Sequence, residues 1–433
     1  MVRIFAIIFF VFFTSAVTAR DNRIDTIRYD APELANFGKH TIGVRTLTII
    51  DPNRIDVLNT SNGSTNAVYD RKLTIEVWYP ADPTTAQDAG GEYKAITRNP
   101  AVIATLRGSA LRNADPATNN VRYPLVVLSH GYPGNRYLMS HLGENLASKG
   151  YVVASIDHAD STYDDLQAFS STLYNRPLDQ RFVIDSMANF SEDTNSFLHG
   201  LVNANMTGVV GYSMGGYGLV NNLGGGYSDA VAAAATISPN ALVTAHSTGN
   251  PDYRKKLDSR IKAGFAIAPW GMNFGFWSAD DLAGITVPTF YLAGDADDIA
   301  GYENGVRAIF KGAINSERYL LTFKNAGHNA GAPYPLPNEI SSNEDKTGAS
   351  HYTDPVWDTV RMNNIMDHFA TAYFNHYLKD DQQSQSYLDV VPDGADGVYS
   401  EQNGIMDDKH TYWKGFGSGT AVGLKLEHLQ PLQ

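Results

Sequence analysis

Short apolar runs of strand length alternate along most of this chain with longer segments whose apolar residues recur every three or four positions. Pro124–Ser129, Tyr151–Ile156, Thr207–Val210, Ile261–Pro269, Val287–Ala293 and Arg318–Phe323 are the strand-length runs. Such continuous runs suit strands buried on both faces, the condition of a parallel sheet covered by helices. Between them, Tyr137–Lys149 sets Leu138, Leu142 and Leu146 on one helical stripe ahead of Gly150. Arg176–Phe190, Ser196–Leu201 and Tyr302–Ala313 read as further helices. Asp354–Leu378 carries Val356, Val360, Met362, Ile365, Phe369, Tyr373 and Tyr377, a face fit to cover the sheet from one side. The alternation predicts an α/β fold with a mostly parallel central sheet flanked by helices.

The ends of the chain read differently. Arg20–Phe37 looks extended and weakly specified. Thr41–Ile50 and Leu73–Tyr79 read as strands, the second stopped by Pro80, with an Asn/Ser/Gly-rich hairpin or surface loop over 51–67. Ala81–Arg122 reads as a long connection holding at most one short helix, and Gly331–Thr353 as a Pro- and Ser-rich segment fit for a pocket rim. Ser384–Gln433 shows Gly/Asp turns and a terminal stretch over 421–429, without a pattern that names it. Asp393-Gly-Ala-Asp396-Gly lacks the ligand spacing of a calcium loop and reads as turns. The expected organisation is a signal peptide over 1–19, a catalytic unit over 20–383 with loop insertions at 82–122 and 331–353, and a C-terminal extension over 384–433 packed on it.

Composition narrows the field of partners. With 43% hydrophobic residues in 433, a large core is available. A formal charge of −13 argues against nucleic acid or an anionic membrane as partner, since both demand basic surface. Arg3, the apolar Ile4–Phe13 and the small residues Val17-Thr18-Ala19 have the order of a cleaved export signal, so a mature chain beginning near Arg20 and secreted or periplasmic is expected, with no stable membrane anchor. There is no cysteine, hence no disulfide and no thiolate metal site.

The chemistry gathers where the strands end. Thr207–Val210 runs into Gly211-Tyr212-Ser213-Met214-Gly215, a G-x-S-x-G followed by a segment able to turn helical. At a sharp strand-to-helix turn a serine stands clear of the sheet, and the flanking glycines let neighbouring chain pass without a Cβ clash. After Pro124–Ser129 comes His130-Gly131-Tyr132-Pro133-Gly134, a turn able to aim the Tyr132 N–H at Ser213, with the Met214 N–H as a second oxyanion donor. His130 itself reads as a structural hydrogen-bonder. After Val287–Ala293 comes a carboxylate cluster, Asp295, Asp297 and Asp298, and after Arg318–Phe323 comes His328 in Asn325-Ala-Gly-His-Asn. The order Ser213, acid, His328 is that of a nucleophile, an orienting carboxylate and a general base. Asp297 is the preferred acid, Asp295 and Asp298 remaining open. Asp157 precedes the serine and reads as structural.

Taken together, L-V-V-L-S-H-G-Y-P-G-N-R (125–136), L-A-S-K-G-Y-V-V-A-S-I-D-H (146–158), G-Y-S-M-G-G (211–216) and P-T-F-Y-L-A-G-D-A-D-D-I-A (288–300) resemble the α/β-hydrolase superfamily. The resemblance covers roughly residues 73–378. It points to the branch of platelet-activating-factor acetylhydrolase-like esterases, dienelactone hydrolase-like proteins and cutinase-type polyester hydrolases. It implies the α/β-hydrolase fold. It also implies Tyr132 and Trp270 as walls of the substrate cleft. Acetylhydrolases of animals place their acid near the position of Ala268, which cannot serve, so the resemblance also turns to Asp297. Dienelactone hydrolases use a cysteine that this chain lacks, and the long segments 82–122 and 331–353 depart from compact cutinases and suggest a more covered pocket. The expected activity is hydrolysis of small-molecule or polymeric carboxylic esters through an acyl-enzyme, with no metal or organic cofactor. Cutinase-type polyester or lipid hydrolysis, a peptidase or amidase on the same three residues, and a hydrolase-fold binding protein with a dead site are the alternatives.

Overall fold

A computed structural model describes residues 21–83, 90–340 and 344–432; the expected export signal over 1–19 lies outside them. Its main sheet has ten strands among the described residues. In chain order they are β1 (Thr41–Ile55), β2 (Val68–Ala81), β3 (Leu111–Arg112), β4 (Tyr123–Ser129) and β5 (Val152–Asp157). They continue as β6 (Val202–Tyr212), β7 (Ile261–Ile267), β8 (Thr289–Gly294), β9 (Arg318–Phe323) and β10 (Leu424–Leu429). Across the sheet the order is β10-β9-β8-β7-β6-β4-β5-β2-β1-β3. The six strands from β5 to β9 run parallel, so all their carboxyl ends reach one edge, where ligands collect in such sheets.

Four longer helices cover the sheet: α1 (Ser140–Ser148), α2 (Phe169–Glu192), α3 (Met214–Asn222) and α4 (Thr359–Lys379). On β7, Gly264 faces Leu223 at the end of α3, and its neighbour Phe265 meets Tyr373 and Phe374 of α4. Adjacent strand residues point to opposite faces, so α3 and α4 lie on opposite sides of the sheet. Phe265 and Phe290 stack at 4.6 Å beneath α4, and fully buried Val126, Val127, Val209 and Val210 carry the apolar strand pattern into the centre.

Several elements differ from the sequence expectation. The helix expected from Arg176 begins at Phe169 and carries Pro177 inside it. A proline removes the N–H that would meet the carbonyl of residue 173, and the Tyr217 hydroxyl donates to that carbonyl instead at 3.2 Å. Ser196–Leu201 forms turns rather than a helix. The stretch 81–122 holds no helix among its described residues; Glu92–Ile96 pairs antiparallel with Ile103–Arg107, which pairs in parallel with Asn22–Arg23. These strands alternate buried Tyr93 and Ala95 with exposed Glu92 and Lys94 over five residues, too short a pattern to stand out in a polar stretch. Val356 falls outside α4 and is 63% exposed, because the helix starts at Thr359 with Asp358 accepting the Arg361 N–H. The unassigned C-terminal stretch supplies β10, which lies antiparallel on β9 and closes that edge.

Candidate active site

Ser213 sits between β6 and α3 with φ 52° and ψ −110°, a conformation that L-residues avoid unless surrounding structure imposes it. Its N–H donates to the Ile267 carbonyl at 2.9 Å, and its own carbonyl accepts the Trp270 N–H at 3.1 Å. The glycines make the turn possible. A Cβ on Gly211 would stand 2.3 Å from the Gly215 carbonyl oxygen, and one on Gly215 only 1.9 Å from that of Ser129. This close approach brings the β4 turn against the serine: a Cβ on Gly131 would lie 3.3 Å from that of Ser213.

The turns after β8 and β9 bring the other two residues to the serine. His328 Nε2 lies 3.0 Å from Ser213 Oγ, and His328 Nδ1 lies 2.9 Å from Asp297 Oδ2. The second carboxylate oxygen of Asp297 accepts the N–H groups of Ile299 and Ala300, each at 2.9 Å. Burial alone would raise the Asp297 carboxyl, but the His328 contact and these two N–H bonds outweigh it and hold it below the usual carboxylate range. Asp295 and Asp298 are both exposed; Asp295 accepts the Asn325 N–H, and Asp298 lies on the cavity wall. Of the three aspartates, only Asp297 is brought to His328.

Neither the Tyr132 N–H nor the Met214 N–H donates to any described residue, which leaves both available beside Ser213. A cavity of about 650 Å³ opens over the serine. Tyr132, Tyr212 and His328 line it, as do Arg98 from the 82–122 segment and Thr347, Ser350 and His351 from the 331–353 segment. Ser213 is only 7% exposed, and residues of both long segments line the cavity beside it. Trp270 does not line this cavity. Its ring stacks on Phe274 at 4.5 Å and meets Phe169 edge-on, and Phe169 in turn meets Tyr132. It therefore forms part of an aromatic row beside the cavity. His130 and Asp157 hold structure: His130 Nε2 accepts the His158 N–H, and Asp157 accepts the N–H and guanidinium of Arg136.

Beneath these turns lies a buried polar network that sequence reasoning missed. Arg176 donates to the His130 carbonyl, and Gln180 Nε2 donates both to Ser129 Oγ and to the Gly215 carbonyl, each at 2.9 Å. One side-chain amide on α2 thus ties the β4 turn to the serine turn. Ser129 Oγ also meets His158 Nε2 at 2.8 Å, and His158 Nδ1 meets Asp179, which pairs with Arg71. Polar residues spaced along a helix also read as a solvated face, so no local signal marks them as buried.

Comparisons with known proteins agree with this architecture. Residues 38–186 match the family model of platelet-activating factor acetylhydrolase, isoform II, and residues 124–273 match that of the alpha/beta hydrolase fold. Cutinase 2 of Thermobifida cellulosilytica is 24% identical over 287 residues, covering 66% of this chain and 79% of its own length. Cutinase cut1 of Thermobifida fusca is likewise 24% identical over 287 residues, covering 66% of this chain and 65% of its own. A solved ferulic acid esterase from Streptomyces cinnamoneus aligns with TM-score 0.53 at 22% identity, over 81% of this chain and 94% of that one. The fold is the α/β-hydrolase fold. Within it the chain is similar to the platelet-activating-factor acetylhydrolase and cutinase-like branch, and these likenesses support a carboxylic ester hydrolase.

Proposed function

We propose that this chain is an exported serine esterase in which Ser213 is the nucleophile, His328 the general base and acid, and Asp297 the orienting carboxylate. The observation that carries the reading is the unbroken run of contacts from Ser213 Oγ through His328 to Asp297, at 3.0 and 2.9 Å. Ser213 Oγ attacks the ester carbonyl carbon while its proton passes to His328 Nε2, and Asp297 steadies the resulting imidazolium. The tetrahedral oxyanion is received by the Tyr132 and Met214 N–H groups. Collapse breaks the bond to the alkoxy oxygen, which leaves as the alcohol with the proton from His328. Water, deprotonated by the same imidazole, then attacks the acyl-enzyme and releases the acid and Ser213.

Tyr132 is proposed as a substrate contact in the cavity, and Trp270 as a positioning residue that acts on Tyr132 through Phe169. The cutinase likeness and this aromatic row favour polymeric esters as a second substrate reading. We also propose that 20–383 and the extension 384–433 form one catalytic unit, which β10 supports by pairing with β9. Export rests on the pattern of residues 1–19; no helix among the described residues is long and apolar enough to cross a membrane.

The test is turnover of p-nitrophenyl esters from acetate to long acyl chains by wild type and Ser213→Ala, alongside matched amides. The expected result is ester turnover reduced about 10⁴-fold or more in the variant, with an unchanged melting temperature. A variant that keeps wild-type turnover, or a wild type that cleaves amides faster than esters, would overturn the reading.

A further inference from the structure

Arg98 stands at the tip of the hairpin between Glu92–Ile96 and Ile103–Arg107, and the tip is fixed on three sides. The Thr97 N–H donates to the Val102 carbonyl at 3.0 Å. Asn135, beside the β4 turn, donates to the Ile96 carbonyl at 2.7 Å. The Arg98 N–H donates to the hydroxyl of fully buried Tyr352 at 2.9 Å. The side chain lines the same cavity as Ser213 and is half-buried. Yet no described carboxylate lies within ion-pair distance of its guanidinium, and that group takes part in no hydrogen bond among the described residues.

The remaining charges around the cavity do not satisfy it. Asp354 accepts the N–H groups of Gly327, Val356 and Trp357, and Asp298 is exposed on the wall. His351, whose Nε2 meets the Tyr163 hydroxyl at 2.6 Å, is held at about 3 by burial and then by Arg98 and His328, so it stays neutral. Among the described residues, Arg98 is therefore the one side chain lining the cavity with a permanent positive charge. A planar guanidinium on a fixed backbone, partly withdrawn from water, matches a carboxylate through two parallel N–H···O bonds.

We propose that Arg98 is a substrate-anion site, and that the preferred substrates are esters carrying a free carboxylate, such as half-esters of dicarboxylic acids. This inference rests on the esterase reading of the same cavity. Its test compares kcat/KM for monoethyl adipate and for an uncharged ethyl ester of equal length, followed by proton release, in wild type, Arg98→Gln and Arg98→Lys. Wild type should favour the charged ester, and Arg98→Gln should lower the charged-to-neutral ratio about tenfold, chiefly through KM; Arg98→Lys should recover part of it, and added salt should reduce it. A ratio unchanged in Arg98→Gln, or a wild type that favours the neutral ester, would overturn the proposal.

A second measurement separates this proposal from the esterase reading. Calorimetric binding of monoethyl adipate to Ser213→Ala should weaken about tenfold when Arg98→Gln is added. If no ester is turned over while that weakening is seen, the esterase reading falls and the anion site stands. Equal binding in the two proteins removes the anion site whatever the turnover.

Discussion

Replacing Asp297 with asparagine tests the proposed mechanism at the point where the structure makes the sharpest statement. In the native site one carboxylate oxygen accepts two backbone N–H groups, from Ile299 and Ala300, and the other meets His328 Nδ1, all at 2.9 Å. Asparagine can be seated in two ways. With its carbonyl oxygen toward the backbone, its NH₂ faces Nδ1, which must then be the bare nitrogen. The imidazole proton moves to Nε2, pointing at Ser213 Oγ, and no base is left for the serine. With the amide turned over, NH₂ faces two N–H donors and leaves both unpaired, that of Ala300 buried and that of Ile299 part-buried, at about 1–3 kcal/mol each. The wrong tautomer is therefore favoured by roughly 2–6 kcal/mol, a factor of about 30 to 10⁴ in the population of the active form. With the lost stabilisation of the imidazolium added, we expect kcat to fall about 10³- to 10⁴-fold, with KM within about threefold. The assay is steady-state hydrolysis of p-nitrophenyl acetate by Asp297→Asn beside Asp295→Asn and Asp298→Asn, with thermal melts to confirm folding. A folded Asp297→Asn that keeps more than a tenth of wild-type kcat would refute the reasoning. So would an equal loss in either neighbour, since both are exposed and neither touches His328.

The other predictions concern support and stability. Gln180→Met keeps the volume of the side chain but removes the amide that joins the Ser129 and Gly215 turns; kcat should fall about 10- to 100-fold with KM nearly unchanged. Affinity for a boronic-acid transition-state analogue should fall in parallel, while product inhibition stays constant; equal losses in both would mark a general structural defect. His158, His246 and His368 are buried, and burial holds each imidazole at about 3. In the unfolded chain each titrates near about 6.5, so between these values the unfolded state binds more protons. Stability is therefore fully present above about pH 6.5 and declines as the pH falls toward 3. Calorimetric melting temperatures should drop between pH 7 and pH 5, and a flat profile over that interval would contradict the assignment.

How much of this was legible in the sequence follows from how far each interaction reaches along the chain. Gly211-Tyr-Ser213-Met-Gly215 announces its own turn, because the strain at Ser213 and the need for glycine on either side are local. The apolar runs that became β4–β9 announce burial on both faces for the same reason. Parallel strands with connected helices send all carboxyl ends to one edge, so Ser213, Asp297 and His328 could be picked from three loops spread over 115 residues. The sequence preferred Asp297 but left Asp295 and Asp298 open; tertiary structure turns the Asp297 carboxylate inward to His328 and leaves the other two in solvent. Tertiary structure alone made strands of 92–107, whose alternation is short, and of 424–429, whose pairing partner lies a hundred residues away on β9. Arg98, Arg176 and Gln180 were likewise invisible along the chain. A polar side chain in a loop or on a helix carries no mark of whether it ends in water, under a turn or in a cavity, and only packing of distant segments decides.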